Sequence, residues 1–143
     1  MTAARFDATL DDETRLAAIA WIERAKIPRD RSWSTPEEAD PPDAVKRIMA
    51  KSAAIVPKQS KPMRAVGIKM EKGQIIAPHY DASYDMTVFY YLSGGAPLIT
   101  GEPDDETAHL IQPGTMIICP GGIRHRVPVQ ELVAPRYTIV TVW

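Results

Sequence analysis

The chain has 143 residues with 45% hydrophobic and 24% charged content, enough for one globular domain burying about two thirds of its unfolded surface and too little for a second. Its 17 Lys and Arg nearly cancel 18 Asp and Glu, which argues against a nucleic-acid partner, and no apolar run is long enough to span a membrane. The single Cys119 excludes an intrachain disulfide framework, and Met1 to Asp7 lacks the apolar core of a signal peptide, so a cytoplasmic location and a small-molecule substrate are expected.

Apolar side chains at Leu16, Ile19, Ala20, Ile22 and Ile27 give Asp11 to Ile27 the pattern of an amphipathic helix, with Thr9, Asp11 and Asp12 placed to cap it. Pro28 to Pro42 reads as a surface loop, because Pro36, Pro41 and Pro42 forbid a long regular element. A shorter helix is predicted over Asp43 to Ala53, where Val45, Ile48 and Met49 share one side and Pro42 suits the start.

From Met63 onward the texture changes to short runs rich in Val, Ile, Tyr and Thr, separated by Gly, Pro and Asp clusters. The predicted strands are Arg64 to Met70, Gln74 to Pro78, Met86 to Leu92, Pro97 to Thr100, Ala108 to Ile111, Met116 to Cys119, His125 to Val129 and Arg136 to Val142. So many short strands, with turns at Gly94-Gly95 and Gly121-Gly122 and no room for crossover helices, predict a mainly β chain forming a small barrel or jelly roll. Residues 1-62 would then be a helical extension packing on a barrel of residues 63-143, or on a partner in a homodimer.

The chemistry concentrates in Gly73-Gln-Ile-Ile-Ala-Pro-His79-Tyr-Asp81 and in Pro120-Gly-Gly-Ile-Arg-His125. In an extended strand His79 and Asp81 project to one side, where they can share an ion with His125. Two imidazoles and one carboxylate suit Fe(II), leaving positions open for substrate and O2. His109 reads as a partly buried histidine that hydrogen-bonds a carbonyl, and Cys119 as an inert buried thiol. On the strand from Met86, Thr87, Phe89 and Tyr91 share one face while Val88, Tyr90 and Leu92 share the other. Arg124 and Arg126 alternate away from the ligand face of His125. Arg136 can fork two hydrogen bonds onto a carboxylate.

The stretches Glu71 to Asp85, Thr87 to Gly95, Pro113 to Pro120, His125 to Val129 and Arg136 to Trp143 resemble the core of the Fe(II)/2-oxoglutarate-dependent oxygenases, in particular the prolyl-hydroxylase-like branch. The resemblance implies a double-stranded β-helix with His79, Asp81 and His125 as iron ligands. It also implies Arg136 as the partner of the far carboxylate of 2-oxoglutarate, with Thr138 and Tyr91 as further contacts. The expected reaction is oxidation, usually hydroxylation, of a small metabolite by 2-oxoglutarate and O2. The cupins compete for the same residues, since Gly73 to His79 and Gly114 to His125 fit parts of their two motifs, and would give a 2-oxoglutarate-independent dioxygenase, lyase or isomerase. A non-catalytic ligand-binding barrel is the third reading. Arg136 decides between the first two.

Overall fold

The structure is a computed structural model in which residues 3–56, 61–81 and 83–143 are described. Along the chain run strand β1 (Ala4–Asp7), helix α1 (Asp12–Ala25), strands β2 (Ile27–Pro28) and β3 (Trp33–Ser34), helix α2 (Asp43–Ile55), and strands β4 (Arg64–Met70), β5 (Ile76–His79), β6 (Met86–Tyr91), β7 (Leu98–Thr100), β8 (Thr107–His109), β9 (Thr115–Pro120), β10 (His125–Val127) and β11 (Arg136–Val142). Among the described residues the strands form two antiparallel sheets, a larger one in the order β1-β9-β6-β11-β4-β3-β2 and a smaller one in the order β5-β10-β7-β8. This is the expected double-stranded β-helix.

Two side-chain layers follow from the alternation on β6 and β11. Val88, Tyr90 and Ile139 point to the helices and pack with Ile22, Val45 and Ile48. Phe89, Tyr91 and Val140 point between the sheets and pack with Met70, Leu98 and Val127. The period of two therefore sorts one strand between a structural layer and the barrel interior.

Helix α1 starts at Asp11, whose carboxylate accepts from the Thr14 N–H at 3.1 Å and the Thr14 hydroxyl at 2.7 Å, a cap that contributes about 1 kcal/mol. Its buried stripe is Thr14, Ala18, Trp21 and Ile22, whereas Leu16, expected on the apolar side, is 55% exposed. The stripe follows the fit to β4: Gly67 has no side chain, and a Cβ there would run into Ile22. Helix α2 buries Val45, Ile48, Met49 and Ser52, a spacing of three and four residues that marks one helical face.

The Pro-rich segment after α1 is not simply a surface loop. Ile27–Pro28 pairs with Trp33–Ser34, and Trp33 and Ser34 pair in turn with Lys69 and Ile68 of β4. Two-residue strands bounded by proline carry too little alternation to be seen as strands in a sequence. β1, four residues long, is exposed along its length and is held by its pairing with β9.

Candidate metal centre and anion pocket

Three side chains converge at one end of the space between the sheets. His79 ends β5 and His125 begins β10, and the two are direct cross-strand partners. Asp81 follows two residues after His79, and ligand atoms of all three lie within 4.8 Å of one another. The His125 Nε2 is 3.1 Å from Asp81 Oδ2 and the His79 Nε2 3.4 Å from Oδ1.

The hydrogen bonds around the rings decide what this cluster can hold. His79 Nδ1 lies 2.8 Å from the Ala77 carbonyl, and His125 Nδ1 lies 3.0 Å from the Ile123 carbonyl. A carbonyl only accepts, so each Nδ1 carries the proton and each Nε2 turns a lone pair toward a carboxylate oxygen. Acceptors facing acceptors at this range need a cation between them, either a proton or a metal ion. Two neutral imidazoles and one carboxylate are a donor set that fits a first-row divalent ion such as Fe(II).

The electrostatics agree. With a proton in that place, burial pushes the Asp81 carboxyl upward, but the hydrogen bonds from the His125 and His79 imidazoles outweigh it and hold the group well below the usual carboxylate range. His79 is raised, chiefly by its Asp81 partner and against burial. The Thr87 hydroxyl donates to Asp81 Oδ2 at 3.3 Å, and the Phe89 ring meets His125 edge-on at 5.5 Å between centroids.

The same cavity, about 400 Å³, is lined by Tyr91, Arg136 and Thr138 among polar groups and by Val66, Ile68, Ile76, Leu98 and Val127 among apolar ones. Arg136 begins β11 and is only 2% exposed. Its Nε donates to the Ala96 carbonyl at 2.8 Å and its Nη1 to the Thr138 hydroxyl at 3.2 Å, with the Met70 sulfur at 3.5 Å. Among the described residues no carboxylate lies within ion-pair distance of it. Thr138 faces Tyr91 across the β11–β6 ladder, and the Tyr91 hydroxyl is the buried side-chain polar atom without a hydrogen-bond partner among the described residues. Burial pushes that phenol up to about 12, against the pull of the Arg136 charge, so it remains a donor. A buried cation without an acidic partner beside an unpaired buried donor is an arrangement whose chemistry suits a small anion.

Gly95 makes room for this arrangement. Its φ of +136° is one that side chains rarely adopt, and a Cβ there would lie 3.0 Å from the Cβ of Arg136 and 2.9 Å from the Gln130 side-chain oxygen.

His79, Asp81, His125, Tyr91, Arg136 and Thr138 thus line one cavity. His109 stands apart, 2.8 Å from the Thr100 hydroxyl in the smaller sheet. Cys119 is buried, its thiol pushed up to about 12 by burial, with Sγ 4.0 Å from His125 Nδ1. Arg124 and Arg126 turn outward to Glu106 at 3.3 and 2.7 Å. Sequence reasoning missed Arg29, Ser32, Ser34 and Thr35, which line the cavity from the β2–β3 segment. No local pattern in this Pro- and Asp-rich stretch signals them, since the strands that carry them in are two residues long.

No family model matches the sequence, and none of the curated proteins searched matches it. Solved structures do match the fold. A prolyl-4-hydroxylase from Pseudomonas putida superposes with a TM-score of 0.80 at 14% identity, covering 99% of this chain and 91% of that one. An oxidoreductase of the 2OG-Fe(II) oxygenase family from Burkholderia pseudomallei gives 0.73 at 15% identity, covering 98% and 82%. HygX from Streptomyces hygroscopicus, with nickel, 2-oxoglutarate and hygromycin B bound, gives 0.75 at 10% identity, covering 98% and 81%. By its fold, the chain is a double-stranded β-helix of the kind found in prolyl hydroxylases and 2OG-Fe(II) oxygenases.

Proposed function

We propose that this protein is a non-haem Fe(II) oxygenase that uses 2-oxoglutarate and O2 to oxidise a small organic molecule. His79, Asp81 and His125 would hold the metal, and Arg136, Thr138 and Tyr91 would receive the far carboxylate of 2-oxoglutarate. The observation that carries this reading is Arg136, a guanidinium 2% exposed, without an acidic partner among the described residues, in the same cavity as the triad. A cupin-type enzyme that does without 2-oxoglutarate would need an anionic group on its own substrate to answer that charge.

Bound Fe(II) would supply the activation of O2, with 2-oxoglutarate as the two-electron reductant that leaves as succinate and carbon dioxide while the second oxygen atom enters the product. The chain's own contribution is positioning. The Ala77 and Ile123 carbonyls fix the tautomers of His79 and His125, so each neutral ring would present its Nε2 lone pair to the metal. Thr87 orients Asp81. The Ala96 carbonyl and Thr138 hydroxyl hold the guanidinium, so little side-chain freedom is lost when a carboxylate arrives. Val66, Ile68, Leu98 and Val127 give the cavity an apolar wall, which would limit the water beside the reacting centre.

The fold shared with HygX, whose structure holds a small-molecule ligand, supports a small substrate, as does a cavity of about 400 Å³. The test is succinate formation and O2 uptake by the Fe(II)-loaded protein supplied with 2-oxoglutarate. Succinate that disappears in Arg136→Ala, with metal content retained, is the expected result. Iron-loaded wild type that consumes no 2-oxoglutarate would count against the reading.

A further inference from the structure

The cavity contains a second arginine for which 2-oxoglutarate provides no task. Arg29 lies on the turn between β2 and β3 and lines the cavity with His79, Asp81 and His125. Arg29, Ser32, Ile76 and His79 also border a shallower cleft whose walls include Arg31 and Pro78. Arg29 therefore stands at the mouth, while Arg136 is enclosed within.

The turn holds its shape. The Arg29 N–H donates to the Ser32 carbonyl at 2.9 Å, and the Lys26 ammonium sits 5.4 Å from the centre of the Trp33 ring. The Thr35 hydroxyl accepts from the Gly67 N–H at 2.9 Å and donates to the Pro36 carbonyl, which ties the segment to β4. Arg29 Nε donates to the Ser34 hydroxyl at 2.7 Å, leaving both terminal nitrogens without a partner among the described residues. The neighbouring acids are engaged elsewhere, Asp30 with Arg31 at 3.8 Å and Glu37 with Arg64 at 3.5 Å.

We infer that Arg29 is the substrate-recognition residue of this site and that the primary substrate is a small organic carboxylate. The inference rests on the function proposed above, because it assigns 2-oxoglutarate to Arg136 and leaves Arg29 for the second substrate. A guanidinium pinned at Nε can fork its two terminal nitrogens onto one carboxylate. The apolar body of the substrate would lie along Ile68, Ile76 and Val127. A phosphate dianion fits less well, since Arg29 and Arg136 are the lysine or arginine side chains among the lining residues and Arg136 is already assigned.

The experiment is calorimetric titration of the Fe(II)-loaded full chain, anaerobically with 2-oxoglutarate present, using hexanoate, phenylacetate and indole-3-acetate, each beside its primary amide. Wild type should bind at least one acid about tenfold or more tightly than its amide, the strength of a charge-assisted hydrogen-bond pair. That preference should fall to about twofold or less in Arg29→Ala. It should persist in Arg31→Ala, which removes the same charge from the same turn outside the cavity. Equal affinity for acid and amide in wild type, no binding of any acid, or a preference that survives Arg29→Ala would overturn the inference. Binding of 2-oxoglutarate is titrated separately beforehand. Its absence, with acid discrimination through Arg29 intact, would sink the proposed cosubstrate and leave the carboxylate site standing.

Discussion

The Arg136 guanidinium lies over the Tyr91 ring, 5.0 Å from its centroid, and neither side chain finds a counter-charge among the described residues. The ring face offers the cation partial compensation, worth less than a carboxylate would be. Burial disfavours the charge on Arg136 and works against any ionisation of Tyr91. A fold that maintains such a pair gives up stability at the place where a ligand would restore it.

Replacing that cation should separate stability from function. Arg136→Met keeps much of the volume and removes a desolvated charge, so its thermal midpoint without ligand is expected to equal or exceed wild type. Its affinity for 2-oxoglutarate should fall about 100-fold, the usual range for removing one member of a buried charge pair. Calorimetry and ligand titration on one preparation check both.

Tyr91→Phe removes a hydroxyl that pays desolvation without a hydrogen bond. Stability should rise by about 1 kcal/mol in urea unfolding, and 2-oxoglutarate affinity should fall about tenfold, because the hydroxyl donates only when the carboxylate is present. A loss of stability would mean that the hydroxyl already has a partner.

Glu23 ties α1 to the sheet behind Arg136. Its carboxylate meets Lys69 at 2.7 Å, Lys26 at 2.9 Å and the Tyr137 hydroxyl at 2.7 Å, and the bond from Lys69 leads in holding its pKa down to about 2, against burial. A depressed carboxylate stabilises the fold above its ordinary pKa of 4.5, and that contribution is lost as pH falls through about 2. Glu23→Gln should cost about 1 kcal/mol at neutral pH, reduced from the full shift because the side chain is partly exposed. Urea unfolding at a series of pH values should show the difference between the two proteins vanishing from about pH 5 down to about pH 2.

Gly95→Ala combines a positive φ with a Cβ pressed against Arg136 and Gln130. About 2 kcal/mol of stability should be lost, with weaker 2-oxoglutarate binding as Arg136 shifts. Denaturant midpoint and ligand titration read the two effects.

Much of this was legible in the sequence because it rests on alternation. Arg64 to Met70 and Arg136 to Val142 are strands with the predicted bounds, and the opposed faces of Phe89 and Tyr90 follow from a period of two. The triad was legible from residue type and spacing, with His79 closing a strand and His125 opening one, although Asp81 lies beyond the end of β5 and not in the extended strand that the alternation assumed. What escaped depends on contacts distant in sequence. Leu16 loses the core side of α1 because Gly67 accepts Ile22 instead. Arg29 and Ser34 enter the cavity because Trp33 and Ser34 add to the edge of β4, and nothing local in a Pro- and Asp-rich stretch announces that pairing.

The most direct test of the central claim is absorption spectroscopy during anaerobic addition of Fe(II) and then 2-oxoglutarate. Wild type should retain iron and develop a visible charge-transfer band on adding 2-oxoglutarate, Arg136→Ala should retain iron without the band, and His125→Ala should do neither. Wild type that holds no more iron than His125→Ala, or that holds iron and stays colourless with 2-oxoglutarate, would contradict the account.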